Sequence, residues 1–174
     1  MRSLQIILAG VWAVFCWSAC TRPSHIDSIP KENETAPQVT AVTLKDTLPA
    51  QMNKAIENLN LGNVMGIQLR YPSGRAASYF VYHAEKNATL MAISRLPFSK
   101  NAGVADAACR PMDGAEWTAL RAQASPSELN AAEFFWDADP NDYVAYECLK
   151  TPMRHTLLVN KHTDEIIHRI EVAG

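Results

Sequence analysis

The sequence has no excess of charge of either sign. Its 174 residues include 16 lysines and arginines and 18 aspartates and glutamates, so the formal net charge is −2 at pH 7. Proteins that bind nucleic acid carry a basic patch, and segments that bind anionic lipid carry clusters of lysine and arginine. Neither pattern occurs here. The composition therefore argues against nucleic acid as a partner and against charge-driven binding to a membrane surface.

The motifs of common catalytic sites are also missing. The chain contains no Gly-x-Ser-x-Gly nucleophile elbow, no His-Glu-x-x-His zinc motif and no glycine-rich phosphate loop. We therefore assign no catalytic residue, no metal ligand and no cofactor from motifs. This favours a protein without enzymatic activity.

No apolar run is long enough to cross a bilayer as a helix. The longest extends over 16 residues from Leu4 to Ala19, whereas a spanning helix needs about 20. A single positive residue, Arg2, precedes it, and small residues stand at its end. A short positive start, an apolar stretch and small residues before a break are typical of an export signal.

The apolar run ends in Ser18-Ala19-Cys20, which resembles the lipobox of bacterial lipoproteins. In that family a peptidase cuts before the cysteine, which then carries the lipid. The resemblance covers only the first 20 residues; it implies a signal peptide over residues 1–19 and lipidation of Cys20. Thr21 is not the aspartate that signals inner-membrane retention in enteric bacteria, so the resemblance implies an outer-membrane anchor facing the periplasm. An ordinary cleaved signal peptide and an uncleaved anchor are the alternatives.

The cysteine count fits export. Of the four cysteines, Cys16 would leave with the signal peptide and Cys20 would carry the lipid. Cys109 and Cys148 remain, an even number in an oxidising compartment, which predicts one disulfide. Two separately buried thiols are the alternative.

A change of composition divides the rest of the chain. Residues 20–45 contain recurring prolines among polar residues and few large apolar ones, which is typical of a flexible tether. Residues 46–174 have the size and apolar content of a single domain. We therefore predict a lipid-anchored chain whose tether holds one periplasmic domain away from the membrane.

Hydrophobic periodicity predicts the fold class of this domain. An apolar stripe at helical spacing lies between Leu48 and Leu59, with Pro49 at its start and Gly62 at its stop. Capping-box patterns at Asp113 and Ser125 open two short central helices, at about 114–124 and 126–135. Alternating apolar residues predict six strands, at 65–71, 76–85, 88–96, 142–150, 154–160 and 165–172. This order predicts an α+β fold with an antiparallel sheet of about six strands.

Two histidines come together in the last predicted hairpin. A loop centred on His162 and Thr163 places His155 and His168 diagonally on one face, within reach of one another. A metal site would need at least one more ligand, and no motif supplies it. We expect two half-buried histidines at the margin of the sheet.

The segment from Asp137 to Asp142 is an acidic loop. Asp137, Asp139 and Asn141 match the first three ligand positions of an EF-hand. Asp142 stands where that loop needs glycine, and Cys148 where it needs glutamate. These departures favour a solvated loop with an Asx turn over a calcium site.

Three adjacent aromatic residues precede this loop. Phe134, Phe135 and Trp136 cannot all face one core from a single helix, and exposed aromatics beside charged residues are typical of protein interfaces. We therefore predict partner contacts at Phe134, Phe135, Trp136, Asp137 and Asp139. Burial of all three rings is the alternative.

Two functions compete on this evidence. The first is a non-catalytic protein-binding module of the cell envelope, either an assembly or secretion accessory or an immunity or inhibitor protein. The second is a small envelope hydrolase or metal-binding protein that uses His155 and His168 or the Asp137–Asp142 loop.

Overall fold

The computed structural model describes residues 36–94, 109–150 and 152–173. The predicted signal peptide, Cys20 and most of the predicted tether lie outside the described residues. Among the residues that the structure describes, no helix is both long enough and apolar enough to cross a membrane. The described elements are β1 (Gln38–Thr43), α1 (Leu44–Thr47), α2 (Ala50–Glu57), β2 (Met65–Arg70), β3 (Ala76–His83), α3 (Lys86–Ser94), β4 (Arg110–Pro111), α4 (Gly114–Gln123), α5 (Pro126–Ala131), α6 (Glu133–Trp136), β5 (Tyr143–Lys150), β6 (Met153–Asn160) and β7 (Glu165–Val172).

The strands form one sheet in the order β1-β2-β3-β7-β6-β5-β4. Every neighbouring pair is antiparallel. Two groups of strands, β1–β3 and β4–β7, each pair in the order of the chain, and the groups meet where β3 pairs with β7. The prediction of an α+β fold with an antiparallel sheet is thus confirmed, with seven strands among the described residues instead of six.

Helices cover both faces of this sheet. One face, the α2 face, packs against α1, α2 and α3; its buried strand residues include Phe80, Leu157, Ile166 and Ile170. The opposite face, the α6 face, packs against α4 and α6; its buried strand residues include Leu69, Tyr79, Leu158 and Ile167. Because both faces are covered, side chains of both parities along the central strands are buried.

The predicted helical stripe is confirmed in α2. Leu48, Met52 and Ile56 lie on the α2 face with exposed fractions of 6%, 1% and 7%. Pro49 is the residue before the first helical position, where its missing N–H costs nothing. Burial of three such side chains contributes about 1.5–3 kcal/mol each relative to exposure, which fixes α2 to the sheet.

The prediction of a strand at 88–96 is wrong, because Lys86–Ser94 form helix α3. The side chain of Glu85 accepts hydrogen bonds from the N–H groups of Asn87 and Ala88, so it caps the first turn. Thr89, Ala92 and Ile93 are then buried at helical spacing. Six of the nine residues from 88 to 96 are apolar, and so short an apolar run does not distinguish strand from helix by its period.

Two strands fall where none was predicted. β1 occupies Gln38–Thr43, inside the segment that we assigned to the tether, and pairs with β2 along its whole length. β4 has only two residues, Arg110 and Pro111, which pair with β5. The ordered domain therefore begins before residue 46.

The central helices also differ in detail from the prediction. Asp113 and Glu116 form the predicted reciprocal capping box at the start of α4. Ser125 caps α5, but the side chain of Glu128 turns away from the helix end and into the sheet. The second helix is interrupted at Ala132, whose φ and ψ of −122° and 39° are not helical, so α6 starts in a new direction.

The predicted disulfide is confirmed. Cys109 and Cys148 are bonded, with their Cα atoms 4.2 Å apart. Cys148 is fully buried on β5, whereas Cys109 lies half-buried just before β4. The bond therefore ties the segment that leads into α4 to the strand that follows α6.

Candidate functional site

The interruption of the helix at Ala132 places the three adjacent aromatic residues in two different environments. Phe135 and Trp136 point into the core, with exposed fractions of 0% and 1%, whereas Phe134 remains 42% exposed. The rings of Phe135 and Trp136 lie 5.3 and 6.3 Å from the Tyr79 ring, centroid to centroid, on the α6 face. Both also contact Trp117 on α4. The prediction that Phe135 and Trp136 contact a partner is therefore wrong, because their side chains hold α6 on the sheet.

The other predicted contact residues are exposed. Phe134, Asp137 and Asp139 all reach the surface. A shallow depression lies between α5 and the end of α6; we call it the Phe134 surface, and it is lined by Asn130, Ala131, Glu133, Phe134, Asp137 and Ala138. An apolar ring beside carboxylates is the composition that sequence analysis predicted for a docking site.

Arg121 fixes the carboxyl end of α6. Its guanidinium donates one hydrogen bond to the main-chain carbonyl of Trp136 and another to the carboxylate of Asp137 at 2.6 Å. A cation at a helix carboxyl end satisfies carbonyls that have no partner within the helix. The same contact orients Asp137 along the rim of the Phe134 surface.

The acidic loop closes on itself. The side-chain Oδ1 of Asp139 accepts the N–H of Asn141 at 2.8 Å, which is the predicted Asx turn. The ammonium of Lys161 donates to the carbonyls of Pro140 and Asn141, at 3.0 and 2.8 Å. Among the described residues, no group of three or more His, Cys, Asp or Glu side chains is placed to hold a metal ion.

A buried charge network, which the sequence analysis missed, lies beneath α5. Glu128 is fully buried, and its Oε1 accepts hydrogen bonds from Nε and Nη2 of Arg169 at 3.1 and 2.9 Å. Its Oε2 accepts from Arg75 and from the Tyr71 hydroxyl, both at 2.9 Å. The Tyr79 hydroxyl also donates to this carboxylate. One carboxylate from α5 thus gathers donors from β3, β7 and the β2–β3 turn.

In this network the arginine charges and the hydrogen bonds outweigh the effect of burial on the pKa of the carboxylates. Burial by itself raises the pKa of Glu128, but the charges of Arg169 and Arg75 and the hydrogen bonds of Tyr79 and Arg169 outweigh it, so the pKa is lowered. Glu171 accepts from Arg75 at 2.8 Å and from Arg169 at 2.7 Å. Although burial opposes ionisation, these two guanidinium groups lower the pKa of Glu171 to about 2. At neutral pH the network is therefore fully charged and fully paired.

The α2 face carries a second buried polar group. His155 and His168 are 0% exposed, and the distance from Nδ1 of His155 to Nε2 of His168 is 3.0 Å. The Tyr82 hydroxyl lies 3.1 Å from Nδ1 of His168. The predicted hairpin register is confirmed, since His155 pairs with Ile170 and Leu157 with His168.

The environment of these histidines differs from the expectation. They lie on the central strands β6 and β7 and not at a margin of the sheet, and they are fully buried instead of half-buried. A hydrolytic or metal-binding use of the pair would need access to solvent or substrate. Their burial gives that alternative no support.

We expect His168 to make stability depend on pH. Burial, with a smaller contribution from His155, lowers the pKa of His168 well below its ordinary value. The unfolded chain therefore binds a proton near pH 6.5 that the folded chain does not, and stability falls as pH drops below that point. One such group changes the free energy of unfolding by up to about 1.4 kcal/mol per pH unit. Urea unfolding at intervals from pH 7.5 to 5 measures this slope.

Replacement of His168 by glutamine should flatten that slope, because the amide does not titrate. The matched control is His162→Gln, since the His162 side chain is 72% exposed in the β6–β7 turn. The control should keep the slope of the parent chain. A slope that survives in His168→Gln would contradict the assignment.

In comparisons with known protein families, curated proteins and solved structures, the chain matches none of them.

Proposed function

We propose that this chain is a membrane-tethered lipoprotein whose periplasmic domain binds another envelope protein without catalysing a reaction. The observation that carries the proposal is the Phe134 surface, where a large ring remains 42% exposed beside Glu133 and Asp137. Aromatic anchors next to charged rims are typical of the energetic centres of interfaces. Within this class, an accessory of envelope assembly or secretion and an immunity or inhibitor protein use the same kind of surface.

The rigidity of the support favours this interpretation. Phe135 and Trp136 anchor the turn of helix that presents Phe134, and Arg121 ties its carboxyl end to α4. A side chain held in place before binding loses less conformational entropy in the complex. The neighbouring buried rings therefore support docking at Phe134 even though they do not reach a partner.

The tether places this domain near a membrane in the proposal. If lipid is attached at Cys20, about 17 residues separate it from the start of β1, a distance of at most ~60 Å when fully extended. A partner would therefore be found in the envelope layer that this reach allows. Outer-membrane attachment facing the periplasm is the arrangement that we propose.

Phe134→Ala should abolish capture of the partner and leave the fold intact. The full-length chain is expressed in cells, cross-linked briefly and purified from membranes, and co-purified proteins are identified by mass spectrometry. We expect at least a tenfold loss of the specific partner, since truncating an interface anchor costs about 2 kcal/mol or more. The mass of the same sample tests whether its N-terminus is an acylated Cys20.

The matched control is Met91→Ala, because Met91 is 48% exposed on α3, on the opposite side of the sheet. The two variants should melt like the parent chain. Retained capture by Phe134→Ala, or equal losses in both variants, would reject the Phe134 surface as the docking site.

A further inference from the structure

The two edge strands of the sheet differ in how they are protected against pairing with a further strand. β4 ends one side with only Arg110 and Pro111, a charge and a residue without an N–H. Short, charged or proline-containing edges are the usual means by which proteins avoid pairing with another strand. β1 ends the other side with six residues, QVTAVT, that include no charge and no proline. The β1 edge therefore lacks each of these protections.

The main-chain groups on the outer side of β1 are open to a further strand. The Leu44 N–H donates to the Val64 carbonyl at 2.9 Å, which continues the unbroken β1–β2 register. Because hydrogen bonding alternates along an antiparallel strand, Thr40 and Val42 direct their main-chain groups towards β2. Val39 and Ala41 direct theirs outward, where no element of the described residues pairs with them.

An uncharged apolar surface lies beside this edge on the α6 face. Val39, Met65 and Val81 are exposed by 53%, 55% and 43%, and Ala41 is exposed as well. Ile67 lies between them, half-buried. The register places these residues on neighbouring strands of the same face. Ile67 packs against the core beneath α4 and α6, whereas the other four residues do not belong to it. This corner offers apolar contacts to the side chains of an added strand.

We infer that β1 pairs with β1 of a second copy of this chain, antiparallel about a two-fold axis at Thr40. The unpaired main-chain groups of β1 can bind only an extended strand, and the uncharged corner beside them favours a strand without charges. β1 of a second copy meets both requirements. A two-fold axis brings each strand against its own sequence, so a charged edge would repel itself, whereas QVTAVT does not. The two sheets would join into one.

The main-chain groups of β1 that are free to pair determine the register of this dimer. Pro37 has no N–H to donate, and the Thr43 carbonyl already accepts the Thr47 hydroxyl at 3.0 Å. The free groups of Val39 and Ala41 are therefore centred on Thr40. Pairing Val39 with Ala41 of the second copy satisfies all of them in a hydrogen-bonded pair. Thr40 then lies opposite its own counterpart in a non-hydrogen-bonded pair, with Cα atoms about 4.5 Å apart.

Cysteine substitution tests this register in the full-length chain expressed in cells. Thr40→Cys should give a covalent dimer on non-reducing electrophoresis after mild oxidation, because a Cα separation of about 4.5 Å suits a disulfide. The control is Gln38→Cys, which is more exposed but pairs with Val42, so its counterpart lies roughly 13 Å away. We expect at least tenfold more dimer from Thr40→Cys than from Gln38→Cys or the parent chain. Equal yields, or no dimer, would overturn the proposal.

A second variant separates pairing from chance collision. Val39→Lys, added to Thr40→Cys, should reduce the dimer at least tenfold, because it places two like charges beside the axis. Val39 is already exposed, so the melting temperature should not change. Leu149→Lys is the control, since Leu149 is exposed by 43% on β5, on the far side of the sheet from β1. Two outcomes would show that the second copy is not the occupant. One is a dimer yield that does not fall when Val39→Lys is added to Thr40→Cys; the other is an adduct of Thr40→Cys with a different protein in place of the dimer.

Discussion

Replacement of Glu128 by alanine should lower the free energy of unfolding by about 3–5 kcal/mol, enough to unfold much of the domain at 37 °C. Removal of the carboxylate leaves two guanidinium groups, those of Arg75 and of the 2%-exposed Arg169, to share the single carboxylate of Glu171. Tyr71 and Tyr79 lose the acceptor of their hydroxyl groups at the same time. An excess of buried positive charge costs far more than the intact pair contributes, so the loss exceeds the value of a single hydrogen bond.

Urea unfolding of the parent chain and the variant measures this loss. The control is Glu57→Ala, because Glu57 pairs with Lys45 at 3.0 Å but both side chains are more than half exposed. An exposed ion pair contributes about 0–1 kcal/mol, so the control should unfold nearly as the parent does. A loss below about 1 kcal/mol in Glu128→Ala would mean that the network is not required for folding.

The same network predicts how the parent chain responds to acid. The pKa of Glu128 is lowered, and that of Glu171 is lowered to about 2. Groups with a lowered folded pKa stabilise the domain fully above their unfolded pKa, near 4.5, and lose that contribution as pH falls towards the folded pKa. Stability should therefore fall in two stages, through His168 below pH 6.5 and through these carboxylates below pH 4.5.

Reduction of the Cys109–Cys148 bond should cost about 4 kcal/mol. The bond closes a loop with a sequence separation of 39, and opening it restores the freedom that the unfolded chain lacks when cross-linked. For a domain of this size, such a loss corresponds to a fall in melting temperature of about 10 °C or more. Thermal unfolding with and without reductant measures the difference.

A Cys109→Ala variant serves as the control for the reductant itself. It should melt at the temperature of the reduced parent and should not respond to reductant. Thiol labelling of the unfolded parent should find neither Cys109 nor Cys148 free before reduction. Superimposable melting curves for oxidised and reduced parent would contradict the predicted contribution.

Local patterns predicted the elements whose neighbours in sequence are also their neighbours in space. The β6–β7 hairpin was placed in register because alternation and a polar turn determine it together. The stripe from Leu48 to Ile56 identified α2 because its apolar residues recur at helical spacing. The Cys109–Cys148 bond followed from the cysteine count, once Cys16 and Cys20 were assigned to the predicted export signal.

The features that were missed depend on distant partners. β1 is a strand because β2 pairs with it, although its residues follow a proline-rich polar segment. Glu128 has a capping-box position in the sequence, but its carboxylate binds guanidinium groups 53 and 41 residues away. Arg169 gave the available signal, since a charge between His168 and Ile170 in a largely apolar strand needs a buried counter-ion once that strand is central.

The separation of Phe134 from Phe135 and Trp136 was not predictable from periodicity. A continuous helix from 126 to 135 would distribute the three rings around its circumference. The interruption at Ala132 changes the direction of the last turn and buries two of them, although all three rings lie within 6.4 Å of the Tyr79 ring, centroid to centroid. Packing against the sheet, which no local pattern encodes, selects this conformation.

The position of β7 in the strand order imposes a sequence of events on folding. This strand is the last element of the chain, yet it lies in the middle of the sheet, between β3 and β6. Until it arrives, β1–β3 form a separate three-stranded sheet in which β3, like β1, has an unpaired edge, and the guanidinium of Arg169 is not there to meet Glu128. A chain that crosses a membrane from its N-terminus delivers those eight residues last. If the chain is exported as we propose, its domain completes the core only after the final strand has emerged, and until then it remains open to translocation machinery or chaperones.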